Sequence, residues 1–205
     1  MLGYKKRKFL IILISPSAGG KSTIASILLK DKNRFAYSIS YTTRPPRGIE
    51  KNGIDYNFVS ISEFDKLNQD GLLLEHARVH GHWYGTNRKL IQDIIDSGKH
   101  VVLDIDVQGA LQIIKSGIDA VTIFIIPPTL EVLKERLRKR NTESDEMIQT
   151  RLINAKKELE MIEKFQYLVI NDHLQTAMNE ILSIIEAEEN KISRYEDIKN
   201  KFYGG

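Results

Sequence analysis

Six consecutive apolar residues, Phe9 to Ile14, run directly into the segment Ser15-Pro16-Ser17-Ala18-Gly19-Gly20-Lys21-Ser22-Thr23. A short, wholly apolar run with basic residues before it and turn residues after it reads as a strand buried on both faces. Past Lys21, the residues Ile24, Ala25, Ile27, Leu28 and Leu29 fall at helical spacing. Gly19 and Gly20 sit between the two patterns, so the backbone turns tightly and its N–H groups converge at the positive end of the new helix. An anion belongs there. Lys21 then reaches the β- and γ-phosphates of a triphosphate, and the Ser22 hydroxyl is placed to ligate Mg²⁺. The spacing G-x-x-x-x-G-K-[ST] is met except at its first position, where Ser15 stands for glycine. A chance Gly-Gly-Lys-Ser turn is the rival explanation, and the strand before and helix after argue against it. The segment predicts a nucleoside triphosphate site.

The rest of the chain limits what can surround that site. Its 205 residues suffice for one domain with a real core. Hydrophobic residues at 41% and charged residues at 28% are ordinary for a globular protein in water. No apolar run approaches the ~18 residues that span a bilayer, so no membrane is expected as a partner. Lys5, Lys6, Arg7 and Lys8 before the first strand imitate a signal peptide, yet the apolar run is too short and no small-residue cleavage site follows. There is no cysteine, hence no disulfide framework, thiolate metal site or cysteine nucleophile, and a cytoplasmic location fits. A net charge of +3 is too small to imply nucleic acid, and the arginines are dispersed rather than striped. Monomer and homodimer both stay open.

Strand-like runs recur at Phe9–Ile14, Phe35–Ile39, His100–Ile105, Ala120–Ile126 and Tyr167–Ile170. Helical patterns separate most of them, at 21–31, 86–97, 107–116, 129–140, 144–164 and 174–203, the last with a break near Ile192 and Ser193. Apolar strands alternating with helices predict an α/β fold with a parallel sheet covered on both faces. Ligands then gather at the carboxyl ends of the strands. Two stretches interrupt the alternation. Residues 40–85 read as loop and short-strand material, with a short helix at 62–71 capped by Ser62. Residues 129–163 are dense in charge, as a mobile lid or a plain solvated helical hairpin would be.

Several side chains carry chemistry by position. Arg44 and Arg47 flank Pro45-Pro46, which stiffens the backbone that presents two guanidinium groups to one anion. In isolation they read as two exposed turn arginines; beside a phosphate loop they suggest a second phosphate-bearing substrate. Glu75 follows three leucines, an unusual place for a carboxylate without a partner or ligand. Tyr56 and Tyr84 could offer hydroxyls to a phosphate, although half-buried strand tyrosines are commoner. His76, His80 and His82 read as structural. Asp104 and Asp106 end an apolar strand, where an acidic residue of a phosphate-loop enzyme faces Mg²⁺. Period two puts both on one sheet face, while a helix cap is the alternative for Asp106.

Taken in order, these segments resemble guanylate kinases. The phosphate loop, Ser40–Arg47 (S-x-T-T-R-x-P-R), Asn52–Tyr56 (N-G-x-D-Y), Leu74–Ala77 (L-E-x-A), Tyr84–Thr86 (Y-G-T) and Leu103–Gly109 (L-D-I-D-x-Q-G) carry the likeness, from Phe9 to about Ile185. The resemblance implies the fold of phosphate-loop nucleoside monophosphate kinases within one 1–205 domain. Its core would be 1–37, 93–128 and 164–205, with a GMP-binding insertion at 38–92 and a lid at 129–163. It implies that Ser40, Arg44, Arg47, Tyr56 and Tyr84 hold the GMP phosphate. Glu75 and Asp106 would read guanine, assisted by Thr86. Residues 15–23 with Asn171 would bind ATP, Ser22 and Asp104 would hold Mg²⁺, and Lys21, Arg44, Arg136, Arg140 and Arg151 would serve catalysis. Chemistry agrees at the base: guanine offers N1–H and N2–H₂ donors, which suit acceptor-only carboxylates, whereas adenine presents a lone pair. Ser15, Ala18 and Gly19 depart from the family's loop pattern, and Asn141 stands where glycine is usual. The implied activity is ATP:GMP phosphotransfer giving ADP and GDP in purine nucleotide metabolism. Lys21 and the arginines argue against a catalytically dead scaffold module of similar fold, and Glu75 with Asp106 against a kinase for another nucleoside monophosphate.

Overall fold

A computed structural model describes residues 4–79, 81–139 and 145–203. His80, Arg140 and Asn141 lie outside the described residues. In chain order the elements begin with β1 (Leu10–Ile14), α1 (Lys21–Leu28), β2 (Phe35–Tyr37), β3 (Tyr41–Thr42), β4 (Asn57–Phe58) and α2 (Ile61–Gln69). Next come β5 (Leu73–Val79), β6 (His82–Asn87), α3 (Arg88–Asp96), β7 (His100–Asp104), α4 (Val107–Lys115) and β8 (Ala120–Ile126). The chain ends with α5 (Leu130–Lys139), α6 (Asp145–Leu159), β9 (Tyr167–Ile170), α7 (Leu174–Glu189) and α8 (Ile198–Tyr203).

Five parallel strands in the order β2-β7-β1-β8-β9 make the main sheet. β1 lies at its centre, Leu10 facing Val101 on one side and Ala120 on the other. Every residue of β1 is buried, which is why its sequence shows no polar alternation. Period two still divides it. Phe9, Ile11 and Leu13 join Ile24, Leu28, Ile181 and Ile185 from α1 and α7 in one core, while Leu10, Ile12 and Ile14 join Ile91, Val107 and Ile113 from α3 and α4 in the other. The sheet is therefore the middle layer of three, and both clusters rest on it.

A second sheet, ordered β4-β3-β6-β5, is mixed: β5 and β6 form an antiparallel hairpin and β3 pairs parallel with β4. The sequence reading of 40–85 as loop with short strands missed that these pieces assemble into one sheet. Phe64 of α2 packs beneath it, close enough that a Cβ on Gly85 would meet its ring at 3.1 Å. Helix α2 is capped by Ser60, not Ser62, because Ser60 and Glu63 close a reciprocal capping box. Helices α5 and α6 form a hairpin with a small core of its own: Leu133, Leu137, Ile148, Leu152 and Ala155.

Other boundaries moved for similar local reasons. Thr86 lies in β6, and the following helix starts at Arg88 because Asn87 accepts from the Lys89 and Leu90 N–H groups. The strand expected to reach Ile105 ends at Asp104, so period two does not govern Asp106. The last helical stretch breaks after Glu189; a 3₁₀ turn at Ile192–Arg194 then brings the chain beside its own N-terminus, where Lys6 bridges Tyr195. No helix among the described residues is long and apolar enough to cross a membrane.

Candidate active site

The segment 15–20 connects the carboxyl end of β1 to α1, whose first residue is Lys21. Gly20 precedes the helix at φ 104°, and a Cβ there would fall 2.1 Å from Asn171 Nδ2. That side chain donates to the Gly19 carbonyl at 2.9 Å, so glycine at 20 is required both by backbone sign and by the approach of Asn171. Gly19 is crowded in another way: a Cβ would sit 1.9 Å from Ser15 Oγ. Ser15 thus fills space that a side chain at 19 would claim. The Gly19 N–H closes the turn on the Pro16 carbonyl at 2.9 Å.

Lys21 Nζ donates to the Ile105 carbonyl at 2.7 Å and pairs with Asp104 Oδ1 at 3.0 Å, and the Ser22 hydroxyl donates to Asp104 Oδ2 at 3.1 Å. The adjacent strands β1 and β7 thereby bring lysine, hydroxyl and carboxylate to one point. Around them lies a cavity of about 480 Å³, walled by the loop, by Arg78 and Val79 of β5, and by Arg151, Asn154, Ala155 and Glu158 of α6.

A second cavity of about 240 Å³ is lined by Tyr37, Ser40, Tyr56, Glu75, Ala77 and Tyr84. Lys21, Val79, Asp104 and Asp106 line both cavities. Glu75 is 4% exposed, accepts from the Thr86 hydroxyl at 2.6 Å, and reaches the first turn of α4: a Cβ on Gly109 would meet its Oε2 at 2.5 Å. Burial pushes its carboxyl up to about 7, opposed by the Thr86 hydrogen bond and assisted by Asp106. Asp106 is the N-cap of α4, accepting from the Gly109 N–H at 2.8 Å, while also facing both cavities. The helix-cap alternative is thus present alongside exposure to the site.

Arg44 and Arg47 part company. Arg44 is 5% exposed; its two terminal nitrogens each donate to Glu50 at 2.9 Å, and its Nε donates to the Tyr84 hydroxyl at 3.2 Å. The rings of Tyr56 and Tyr84 lie 5.9 Å apart beside it. Arg47 is exposed, and only its backbone N–H meets Glu50. Two arginines closed on one anion are therefore not the arrangement seen here. Of the other arginines, Arg136 donates to the Asn171 carbonyl at 2.9 Å, Arg151 lines the larger cavity, and Arg140 lies outside the described residues. A third cavity of about 350 Å³ opens between Thr23, Arg136 and Asn171.

Three residues in the site carried no sequence signal that singled them out. Glu50 is the fourth residue of a turn that begins at Arg47, and its spacing of three from Arg47 was the available cue. Tyr37 is pushed upward in pKa by burial and by the nearby Asp104. Glu158 sits in a charged helix indistinguishable by pattern from a solvated face, yet its Oε2 is buried without a partner and burial raises the group to about 6, against Lys21 and with Asp106. His76 and His82 join no metal-binding group, since no cluster of three or more candidate ligands exists among the described residues.

In sequence and in fold the chain is similar to guanylate kinases. Residues 6–188 match the family model described as guanylate kinase. A guanylate kinase of Sphingopyxis alaskensis is 43% identical over 190 residues, covering 92% of this chain and 86% of its own length. That of Thermotoga maritima is 42% identical over 193 residues, covering 94% and 93%. The crystal structure of guanylate kinase from Anaplasma phagocytophilum superposes with a TM-score of 0.78 at 34% identity, covering 96% and 94% of the two chains.

Proposed function

The chain belongs to the guanylate kinase family, and from that membership we propose a transfer of the γ-phosphoryl group of ATP to GMP organised by the two joined cavities. The observation that carries this reading is the shared wall. Lys21, Asp104 and Asp106 border both the phosphate-loop cavity and the cavity holding Glu75, so two nucleotides meet where the lysine points.

ATP lies along residues 15–23 with its adenine toward Asn171. GMP lies in the smaller cavity with guanine against Glu75, Asp106 and Thr86, and its phosphate toward Ser40, Tyr56, Tyr84, Arg44 and Arg47. A GMP phosphate oxygen attacks the γ-phosphorus in line; the new P–O bond forms as the bond to the β-phosphate oxygen breaks, and ADP leaves. The GMP phosphate is already anionic, so no general base is required. The protein supplies positioning and neutralisation of spread negative charge through Lys21, the loop N–H groups, Arg136, Arg140 and Arg151. Ser22 Oγ and Asp104 are hard oxygen donors 3.1 Å apart, a set that suits Mg²⁺ brought in with ATP. Bound there, the ion would neutralise charge on the β- and γ-oxygens. Residues 38–92 act as the GMP-binding part and 129–163 as a lid whose closure excludes water that would otherwise hydrolyse ATP. A cysteine-free sequence agrees with work in the cytoplasm.

The test is ADP release with ATP and Mg²⁺ against GMP, AMP, CMP and UMP. GMP should be preferred by about 10³-fold or more, since a site built around hydrogen bonds to one base rejects others strongly. Comparable turnover with AMP, or none with any acceptor, would overturn the reading.

A further inference from the structure

Ala18, in the middle of the phosphate loop, has φ 66° and is one of two non-glycine residues at positive φ among the described residues, the other being Asp197. Left-handed backbone is unfavourable for alanine and free for glycine, so loop shape alone gives no reason for a methyl at this position. Its surroundings do. The Ala18 methyl packs against the core of the α5–α6 hairpin, formed by Leu133, Leu137, Ile148, Leu152 and Ala155. Among the described residues it is the one partly buried apolar side chain packed on that cluster.

A second, polar tie runs parallel to it. Arg136 of α5 donates to the Asn171 carbonyl at 2.9 Å, and Asn171, 5% exposed, donates to the Gly19 carbonyl at 2.9 Å. Adjacent loop residues 18 and 19 are thus each held to the same hairpin, one by apolar contact and one by hydrogen bonds. The rest of the loop leaves room for this. Gly19 has no side chain, and Ser15 Oγ occupies the space a Cβ there would claim, so residue 19 offers the hairpin no apolar contact of its own. The same hairpin carries Arg151 and Glu158 into the larger cavity.

We propose that Ala18 is a positioning residue that seats the lid on the phosphate loop, so that donor binding and lid closure are coupled through one methyl contact. The proposal rests on the reading of 129–163 as a lid. Its physical content is that a phosphate which alters the loop alters the floor of the lid's core, giving the two lid positions different contact free energies.

Three variants test it: Ala18→Gly, Ala18→Ser and Leu137→Ala. In Ala18→Gly the methyl is lost, and the ATP KM should rise about threefold to fivefold, the scale of one buried methyl group. The GMP KM at saturating ATP should stay within about twofold. Hydrogen exchange of the α6 amides in ligand-free protein should quicken. Ala18→Ser retains Cβ and should restore both readings. Ala18→Gly combined with Leu137→Ala should give less than the sum of the two single effects, since both loosen the same apolar cluster. An unchanged ATP KM with unchanged α6 exchange in Ala18→Gly, or Ala18→Ser behaving like Ala18→Gly, overturns the proposal. The exchange measurement needs no acceptor, so it stands or falls separately from the assignment of GMP.

Discussion

Glu75 shows how much one carboxylate can decide. It is buried against the first turn of α4 with a hydroxyl as its hydrogen-bond donor, and its ordinary value of 4.5 rises to about 7. A folded-state value raised above the unfolded one stabilises the protein below the unfolded value and is lost as pH climbs through about 7. Ligand-free protein should therefore melt progressively lower between pH 5 and 8, and Glu75→Gln should remove most of that slope, an effect on the order of 3 kcal/mol at most. The guanine-reading role proposed for Glu75 needs the ionised acceptor, so GMP affinity should fall as pH drops below 7 in the wild type and lose that dependence in Glu75→Gln, whose GMP KM should be at least about tenfold higher. Calorimetric titration with GMP across pH 6–8 reads both. At the donor side, Lys21→Ala should lower kcat by about 10³-fold while the melting temperature falls only modestly, because Lys21 sits outside all the apolar clusters and gives up its pair with Asp104 and its bond to the Ile105 carbonyl. Wild-type-like turnover would remove Lys21 from the mechanism.

Between residue and molecule, element ends do most of the placing. The start of α4 holds Asp106 as its cap and Gly109 as the gap into which Glu75 fits. Gly109→Ala puts a Cβ 2.5 Å from Glu75 Oε2, so the carboxylate must shift. The expected result is a raised GMP KM with the ATP KM unchanged, measured by varying each substrate in turn. Helix α2 provides the contrast. Ser60→Ala opens its capping box and should cost about 1 kcal/mol of stability by thermal denaturation with kcat unaffected, since α2 lines neither nucleotide cavity. Cap signals were legible in the sequence to within two residues, as the Ser60-for-Ser62 displacement shows. What hid the correct cap was that Ser60 and Ser62 are both acceptable caps, and only the Glu63 side chain returning to the Ser60 N–H selects between them.

Across the whole molecule, chemistry and anchoring occupy opposite ends of the main sheet. The loop, Asp104 and Lys21 lie at the carboxyl ends of the strands, whereas Arg194, 6% exposed, binds Glu188 and Asp119 near the amino ends and covers the Phe9 ring at 3.9 Å. Arg194→Ala leaves Glu188 buried with one cationic partner fewer and should destabilise the protein by about 3 kcal/mol. Turnover at temperatures where the variant stays folded should be close to wild type, which separates this anchor from the site.

By itself the sequence determined the alternation of strands and helices, the parallel sheet, the phosphate loop and its lysine, and the ordered motifs that mark the family. Each of these is a local or periodic property, written in neighbouring residues. Only the tertiary structure decided that Glu50 occupies the Arg44 guanidinium, that 40–85 closes into a second sheet, that Asp106 is a cap facing the site, and that Glu158 and Ala18 join the α5–α6 hairpin to the phosphate-loop cavity. Those outcomes depend on which surfaces meet across long separations in the chain, and burial and hydrogen-bond competition at such meetings are settled by packing, which no local pattern encodes.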